Sequence, residues 1–550
     1  MPVATTRTIS LQGTLGHLID IQVDVSGGVV KTVLVGRPDA ALSESRDRCR
    51  MAITNTKLFD KVEWPNSRRV TILLSPADLP KRGTHFDLGI AIAVLAATGA
   101  IKALPPATVY IGELTLEGGL RSVPGVLPMV MAAARRGIHR FYVPEPQVPE
   151  ASLVPGVEIF GVRSLGQVIA MLVGLEVPSA PPVAAMSGSR LLSWRGEDRQ
   201  VGLDLVDVRG LPDERYAVEV AAAGGHPLHL TGPRGSGKTT LAERIPSILP
   251  DLNAEESLEL TAIASLAGAL DPAAKLLTRP PFLAPHHTAT HSALLGGGSG
   301  RVRPGEISRA HCGVLFLDEF PFFRADVIEG LRQPLESGEV TISRGEETAT
   351  YPARGLVVLA SNPCPCGDYY PFAVGDGCRC SPQERHSYRR KLSGPITDRI
   401  DITRNLAPLT MAAPDAYEQP ESSAQVRARV ERARARQTAR FAECGWRLNA
   451  HAPGPELLRR WPLSPEGQQR LDEAVFTGLL SRRGATRVHR LAWTVSDLSE
   501  SLDPAGVDPA RVDPAGVDPA WGRPGLEQVE TALRLRTGEP LMGYVVGRAG

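Results

Sequence analysis

Residues 226–240 read HPLHLTGPRGSGKTT, and the reading of this stretch decides the fold. HPLHLT has the apolar pattern of a short buried strand, and TTLAERIPSIL, which follows, has that of an amphipathic helix. Between them Gly232, Pro233, Arg234, Gly235, Ser236, Gly237, Lys238, Thr239 and Thr240 fit G-x-x-x-x-G-K-[ST] in full. The glycines let backbone N–H groups wrap a phosphate chain, and the helix N-terminus adds a favourable dipole. Lys238 is expected to reach the β- and γ-phosphates of ATP, with the Thr239 hydroxyl on Mg2+. A chance match in a chain with 54 glycines is the alternative, and the strand–loop–helix context argues against it.

Working outward, GVLFLDEF at 313–320 follows about 80 residues after the loop and ends an apolar strand in two carboxylates. Asp318 is expected to hold the magnesium, and Glu319 to orient and activate the attacking water. The next strand, GLVVLASN, ends at Asn362, whose amide suits positioning that water. Arg399 in SGPITDRIDI is a candidate finger offered to a neighbouring subunit's site, and Arg483 could act from a helical lid. Strands separated by helical segments over 200–415 predict a parallel, doubly wound α/β core.

At 550 residues the chain needs several cores, about two to four by length. Residues 1–178 alternate strand-like runs (IDIQVDVSGG, VKTVLVG, RRVTILLSP) with helix-like ones (DLGIAIAVLAATGAI, LPMVMAAARRG), which predicts a mixed α/β domain. A Pro/Ala/Ser linker is expected over 179–199, the ATPase core over 200–415, and a basic helical lid over 416–550. The lid is interrupted at 503–520 by DPAGVDPARVDPAGVDPA, where proline every fifth residue predicts a disordered insert. Lys and Arg total 61 against 60 Asp and Glu, so contact with nucleic acid must come from local basic patches. No apolar run reaches the roughly 18 residues of a membrane span, and the N-terminus lacks signal-peptide features, so a cytoplasmic protein is expected.

Four of seven cysteines, Cys364, Cys366, Cys378 and Cys380, form Cys-x-Cys, eleven residues, Cys-x-Cys. Four thiolates suit structural zinc, with free thiols or a redox-sensitive knot as the alternative. Cys49, Cys312 and Cys444 read as buried apolar residues. Residues 283–309 carry His286, His287, His291, Arg301 and Arg303 among glycines, which reads as a loop insert able to touch DNA rather than a metal site. GEVTISRGEETATYPARG reads as a hairpin, with Arg344 near its tip a second candidate phosphate contact.

The string FLAPHHTATHSALLGGGSGRVRPGEISRAHCGVLFLDEFPFF at 282–323 resembles the magnesium-chelatase-like AAA+ ATPases, and within them the ComM/YifB branch. The resemblance covers nearly the whole chain except the repeat. It implies a hexameric ring with nucleotide sites between subunits, Asn362 as sensor 1, Arg399 as arginine finger and Arg483 as sensor 2. It also implies a DNA helicase that promotes branch migration in natural transformation. The N-terminal part resembles the proteolytic domain of Lon through LPKRGTHFDLGIAIA and GELTLEGGLRSVPGVLPMVMAAARRGI. By that alignment Asp87 stands at the nucleophilic serine and Met129 at the lysine, so the fold is expected without peptidase activity. A chelatase-type motor subunit, or a general remodeller of protein complexes, is the alternative function.

Overall fold

The computed structural model describes residues 3–58, 62–184, 202–270, 275–298, 302–344, 347–369, 378–392, 396–407, 420–499 and 522–541. The glycine loop sits where the sequence predicts a parallel sheet. Five strands pair side by side in the order Phe282–Leu283, Val314–Leu317, Leu356–Ser361, Leu228–Thr231 and Ile402–Asn405. All four pairings are parallel. The strand preceding the glycine loop lies between the strand leading to Asn362 and Ile402–Asn405, so three chain segments deliver polar residues to one sheet edge. Val314 to Leu317 and Leu356 to Ser361 are buried throughout, as strands covered on both faces must be. The result is a mixed α/β fold with a parallel sheet, of the P-loop AAA+ type.

Two local expectations need correction. TTLAERIPSIL is not one helix: Lys238–Ala242 and Ile245–Ile248 are separate short helices. Pro246 lacks the N–H that would continue the helical ladder there. Cys49 is buried, but Cys312 and Cys444 are only partly so. Cys312 turns the chain at φ 57° just before Val314–Leu317, and the Cys444 sulfur accepts from Arg460 at 3.6 Å.

Among its described residues, the first part of the chain builds two larger sheets and a short antiparallel pair, Glu113–Leu114 with Leu120–Arg121. Ala4–Gln12, Leu15–Ser26, Arg69–Ser75 and Thr32–Val35 form a mixed sheet in that order. Thr108–Tyr110, Arg140–Pro144 and Glu158–Val162 form a parallel one. The helix Asp87–Ala97 is buried along almost its full length against the first sheet, which explains its unbroken apolar sequence. Asp87 opens that helix fully buried, and Met129 is fully buried in Val126–Ala134. Arg48 donates to the Asp87 carboxylate twice, at 2.7 and 3.1 Å, and the Leu114 N–H adds a third bond at 3.2 Å. Burial pushes the Asp87 carboxyl up, and these three donors oppose it.

The N-terminal part does not stand apart from the rest. Leu11, Val126 and Met129 share one apolar cluster with Ala262 and Leu266 of the helix Ala254–Ala267, and with Ala349 and Tyr351 of the hairpin. That hairpin, Glu339–Arg344 with Glu347–Pro352, is antiparallel as expected. Tyr351 donates its hydroxyl to the Val302 carbonyl at 2.8 Å. Residues 178–184 lie along the N-terminal part, the Pro178 carbonyl accepting from Gln167 and that of Ala184 from Ser122. The rest of the expected linker, and the DPAGV repeat at 503–520, lie outside the described residues.

The C-terminal helices Ser423–Arg440, Pro465–Phe476, Arg482–Leu498 and Leu526–Thr537 join the core's own apolar cluster. A buried polar chain ties them on as well. His226 meets the Asp401 carboxylate through Nδ1 and Thr494 through Nε2, each at 2.7 Å, and Arg487 also pairs with Asp401. Burial opposes charge on Asp401, yet Arg487 and His226 hold its carboxyl well below the usual carboxylate range. Asp497 closes the chain on Arg440 and Asn449. Among the described residues no helix is long and apolar enough to cross a membrane.

Replacing Asp87 by alanine removes the carboxylate from the part-buried Arg48 guanidinium, which keeps only Ala41, Ser45 and Glu44 as partners. The expected cost is about 3 kcal/mol of stability, read as a lowered denaturation midpoint, whereas Met129→Leu, which keeps the volume, should leave it nearly unchanged.

Candidate functional site

The loop after Thr231 turns on Gly235 and Gly237, whose φ values of 74° and 90° lie in the left-handed region open to glycine. Gly232 is needed for a different reason. A Cβ there would come within 2.7 Å of the Ser236 hydroxyl and 2.9 Å of Leu406. Its N–H donates to the Ser361 carbonyl at 3.2 Å, which joins the loop to the neighbouring strand. Beneath it, His229 bonds the Ser361 hydroxyl at 2.8 Å; burial lowers this imidazole to about 4, so it is neutral at ordinary pH.

Lys238 is largely buried. Its ammonium donates to the carbonyls of Gly232 at 2.6 Å and Pro233 at 2.8 Å, and to the Asn362 side-chain oxygen at 3.2 Å. Three donors meet three acceptors. Burial lowers the lysine pKa and the Asp318 carboxylate opposes that shift. Thr239, one residue on, donates its hydroxyl to Asp318 at 3.1 Å. A hydroxyl and a carboxylate in contact at the mouth of a glycine loop form an all-oxygen set that suits magnesium. Asp318 also accepts the Glu319 N–H at 2.8 Å, which helps hold Glu319 at φ 50°. A non-glycine residue in that region costs about 1–2 kcal/mol, so the chain accepts strain where Glu319 turns out of the sheet.

The structure therefore brings Lys238, Thr239, Asp318 and Asn362 together, with Glu319 beside them. It does not bring Arg399 or Arg483 into hydrogen-bond contact with this group. Arg399 pairs with Glu336 of its own chain at 2.5 Å, and Arg483 is exposed in the first turn of Arg482–Leu498. Arg234 and Thr240 are exposed beside the loop. Arg303 is exposed on its short strand, and Arg344 donates to the Gly298 carbonyl. Arg301 lies outside the described residues.

Three site contacts escape sequence reasoning. His287 meets the Glu319 carboxylate at 3.2 Å, in the segment read only as a loop insert. Ser361 and His229 support the loop from below. The Arg234 N–H donates to the Gly367 carbonyl at 3.3 Å, so the cysteine-bearing turn touches the glycine loop. Within that turn the Cys364 sulfur lies 3.3 Å from Cys366 and 3.7 Å from Cys378, and Cys366 lies 3.6 Å from Cys378. All four ligand atoms, Cys380 included, fall within 4.8 Å of one another. The N–H of Asp368 is the main cause of a Cys366 thiol lowered to about 6.

The family description for subunit ChlI of magnesium chelatase matches residues 204–413, with two further ChlI descriptions matching 21–147 and 420–509. An uncharacterised protein of Escherichia coli, YifB, is 38% identical over 504 residues, covering 91% of this chain and 94% of its own. Competence protein ComM of Haemophilus influenzae is 36% identical over 501 residues, covering 90% and 94%. The chain belongs to the ComM/YifB family of magnesium-chelatase-like proteins. An uncharacterised Mycobacterium tuberculosis relative is 44% identical over 508 residues, covering 92% of this chain and 96% of its own. Outside the ComM/YifB family, Lon protease of Acinetobacter baumannii is 26% identical over 187 residues, 32% of this chain and 23% of its own. The magnesium-chelatase-like AAA+ character of the ComM/YifB family implies nucleotide and Mg2+ use.

Gly232→Ala should push Ser236 and Leu406 apart at a cost of about 1–3 kcal/mol. The expected result is a melting temperature lowered by a few degrees, with triphosphate binding lost in a fluorescence titration at temperatures where the variant is still folded.

Proposed function

We propose that this protein is an AAA+ ATPase that works as a hexameric DNA translocase or helicase, promoting branch migration of recombination intermediates. The observation that carries the ATPase reading is the meeting of Lys238 with Asn362, and of Thr239 with Asp318, at one sheet edge. When bound, Mg2+ and ATP supply a polarised γ-phosphoryl group. Residues 232–240 would hold the phosphates with backbone N–H groups and the Lys238 ammonium, and Thr239 and Asp318 would hold the metal. Glu319 would take the proton of the attacking water while Asn362 orients it. Arg399, released from Glu336, would serve a neighbouring subunit's site, and Arg483 would serve from the lid.

The DNA reading is supported by the hairpin at 339–352 with Arg344 exposed near its tip, by exposed Arg303, and by the competence designation of the Haemophilus relative. We take 1–178 as a Lon-like domain without the Ser-Lys dyad, 200–415 as the ATPase core and 416–550 as the lid. The partial Lon similarity and the carboxylate and thioether at Asp87 and Met129 support that division. Structural zinc on the four cysteines completes the cofactor set. A motor that remodels a protein partner, as in chelatases, is the second reading, favoured by the matched family description.

The test is branch migration of four-way DNA with purified protein. Wild type should convert the junction with ATP and magnesium. Lys238→Ala should lose nucleotide binding. Glu319→Gln should keep binding while hydrolysis falls at least about 100-fold. Robust ATPase activity with no DNA binding at low salt would leave the remodelling reading in its place.

A further inference from the structure

The cysteine turn lies closer to the chemistry than a stabilising knot needs to be. Asn362, which accepts from Lys238, is two residues before Cys364, and Cys364 is fully buried. Three residues further on, the Gly367 carbonyl accepts the Arg234 N–H of the glycine loop. Gly367 has φ 85°, and a Cβ there would come within 2.8 Å of the Arg234 side chain. The turn thus grips the glycine loop at both ends, through Lys238 on one side and Arg234 on the other.

The thiols of this turn are arranged to hold it in place. Four sulfurs around one zinc at about 2.3 Å would be spaced about 3.8 Å apart, the edge of a regular tetrahedron. The three observed sulfur pairs lie at 3.3, 3.6 and 3.7 Å. That is far beyond the roughly 2.05 Å of a disulfide, and too tight for the thiolates around a multi-iron cluster. Cys380 is drawn in by the Cys366 N–H at 3.4 Å. The stretch after the first cysteine pair is in turn anchored to the helix Pro382–Leu392, whose Arg385 and Arg389 lie over the Tyr369 ring at 4.5 and 5.3 Å.

We infer that a single zinc ion on Cys364, Cys366, Cys378 and Cys380 clamps the turn carrying Gly367 against the phosphate loop, so that filling this thiolate site sets nucleotide affinity. The inference rests on the reading of residues 232–240 as the nucleotide loop. Emptying the site frees the Gly367 carbonyl and loosens Asn362 together. The Arg234 N–H then loses its partner, and Lys238 one of its three acceptors.

The experiment uses the full chain and a fluorescent ADP analogue, with zinc measured by elemental analysis. One zinc per chain is expected, with Kd rising at least about fivefold to tenfold after chelation, the size of one net hydrogen bond, since the Arg234 and Lys238 contacts both weaken. Gly367→Ala, which retains all four thiols, should keep its zinc and weaken binding by a similar factor. Far-ultraviolet circular dichroism checks that each sample is folded; if chelated protein unfolds, Gly367→Ala alone decides. Absence of zinc overturns the metal. Zinc present, with affinity unchanged in Gly367→Ala or in folded chelated protein, overturns the clamp and leaves the metal standing. Wild type that binds no nucleotide, indistinguishable from Lys238→Ala, overturns the underlying reading of the loop instead.

Discussion

The buried ammonium of Lys238 is the point on which the site depends. It is costly to keep a charged amine out of water, and the chain does so only by surrounding it with two carbonyls of its own loop and the amide oxygen of Asn362. Those acceptors come from two different strands, so the amine can be satisfied only when the sheet is correctly ordered. The parallel pairing of Leu228–Thr231 with Leu356–Ser361, and the Gly232 N–H on Ser361, are what bring them into range. Asp318, on the next strand over, completes the group through Thr239.

Much of this was legible in sequence because it obeys local rules. A glycine loop between a strand and a helix, and apolar strands ending in Asp318, Glu319 and Asn362, fix which strand ends must meet. The hairpin was legible for the same reason, since its two runs pair in register from Glu339 with Pro352 to Arg344 with Glu347. What escaped was decided by packing between distant segments. No periodicity announces that His287 will meet Glu319, or that Gly367 will accept from Arg234. The edge strands Phe282–Leu283 and Ile402–Asn405 are too short to carry a pattern of their own. The helix after the loop was misread because the amphipathic spacing continued through Pro246, and the missing N–H won.

The two arginines sit in different surroundings. Arg399 is paired with Glu336 and Arg483 is exposed, so neither forms part of the Lys238 and Asp318 group within one chain. The buried chain from Arg487 through Asp401, His226 and Thr494 to Asn449 links the segment bearing Arg399 to the helix bearing Arg483. Breaking any link of this chain leaves a buried polar group unsatisfied, so the segment and the helix are held together at a cost to separation.

The apolar cluster shared by the N-terminal part and the hairpin has a consequence for how this chain can change over generations. Leu11, Val126 and Tyr351 fill one space although they are encoded far apart, and Gly13 sits so near the Thr350 carbonyl that a Cβ would come within 2.5 Å of it. A volume gained on one side must be surrendered on the other. The two segments are thus bound to a common history: neither can be exchanged for its counterpart from a distant relative without bringing the other along.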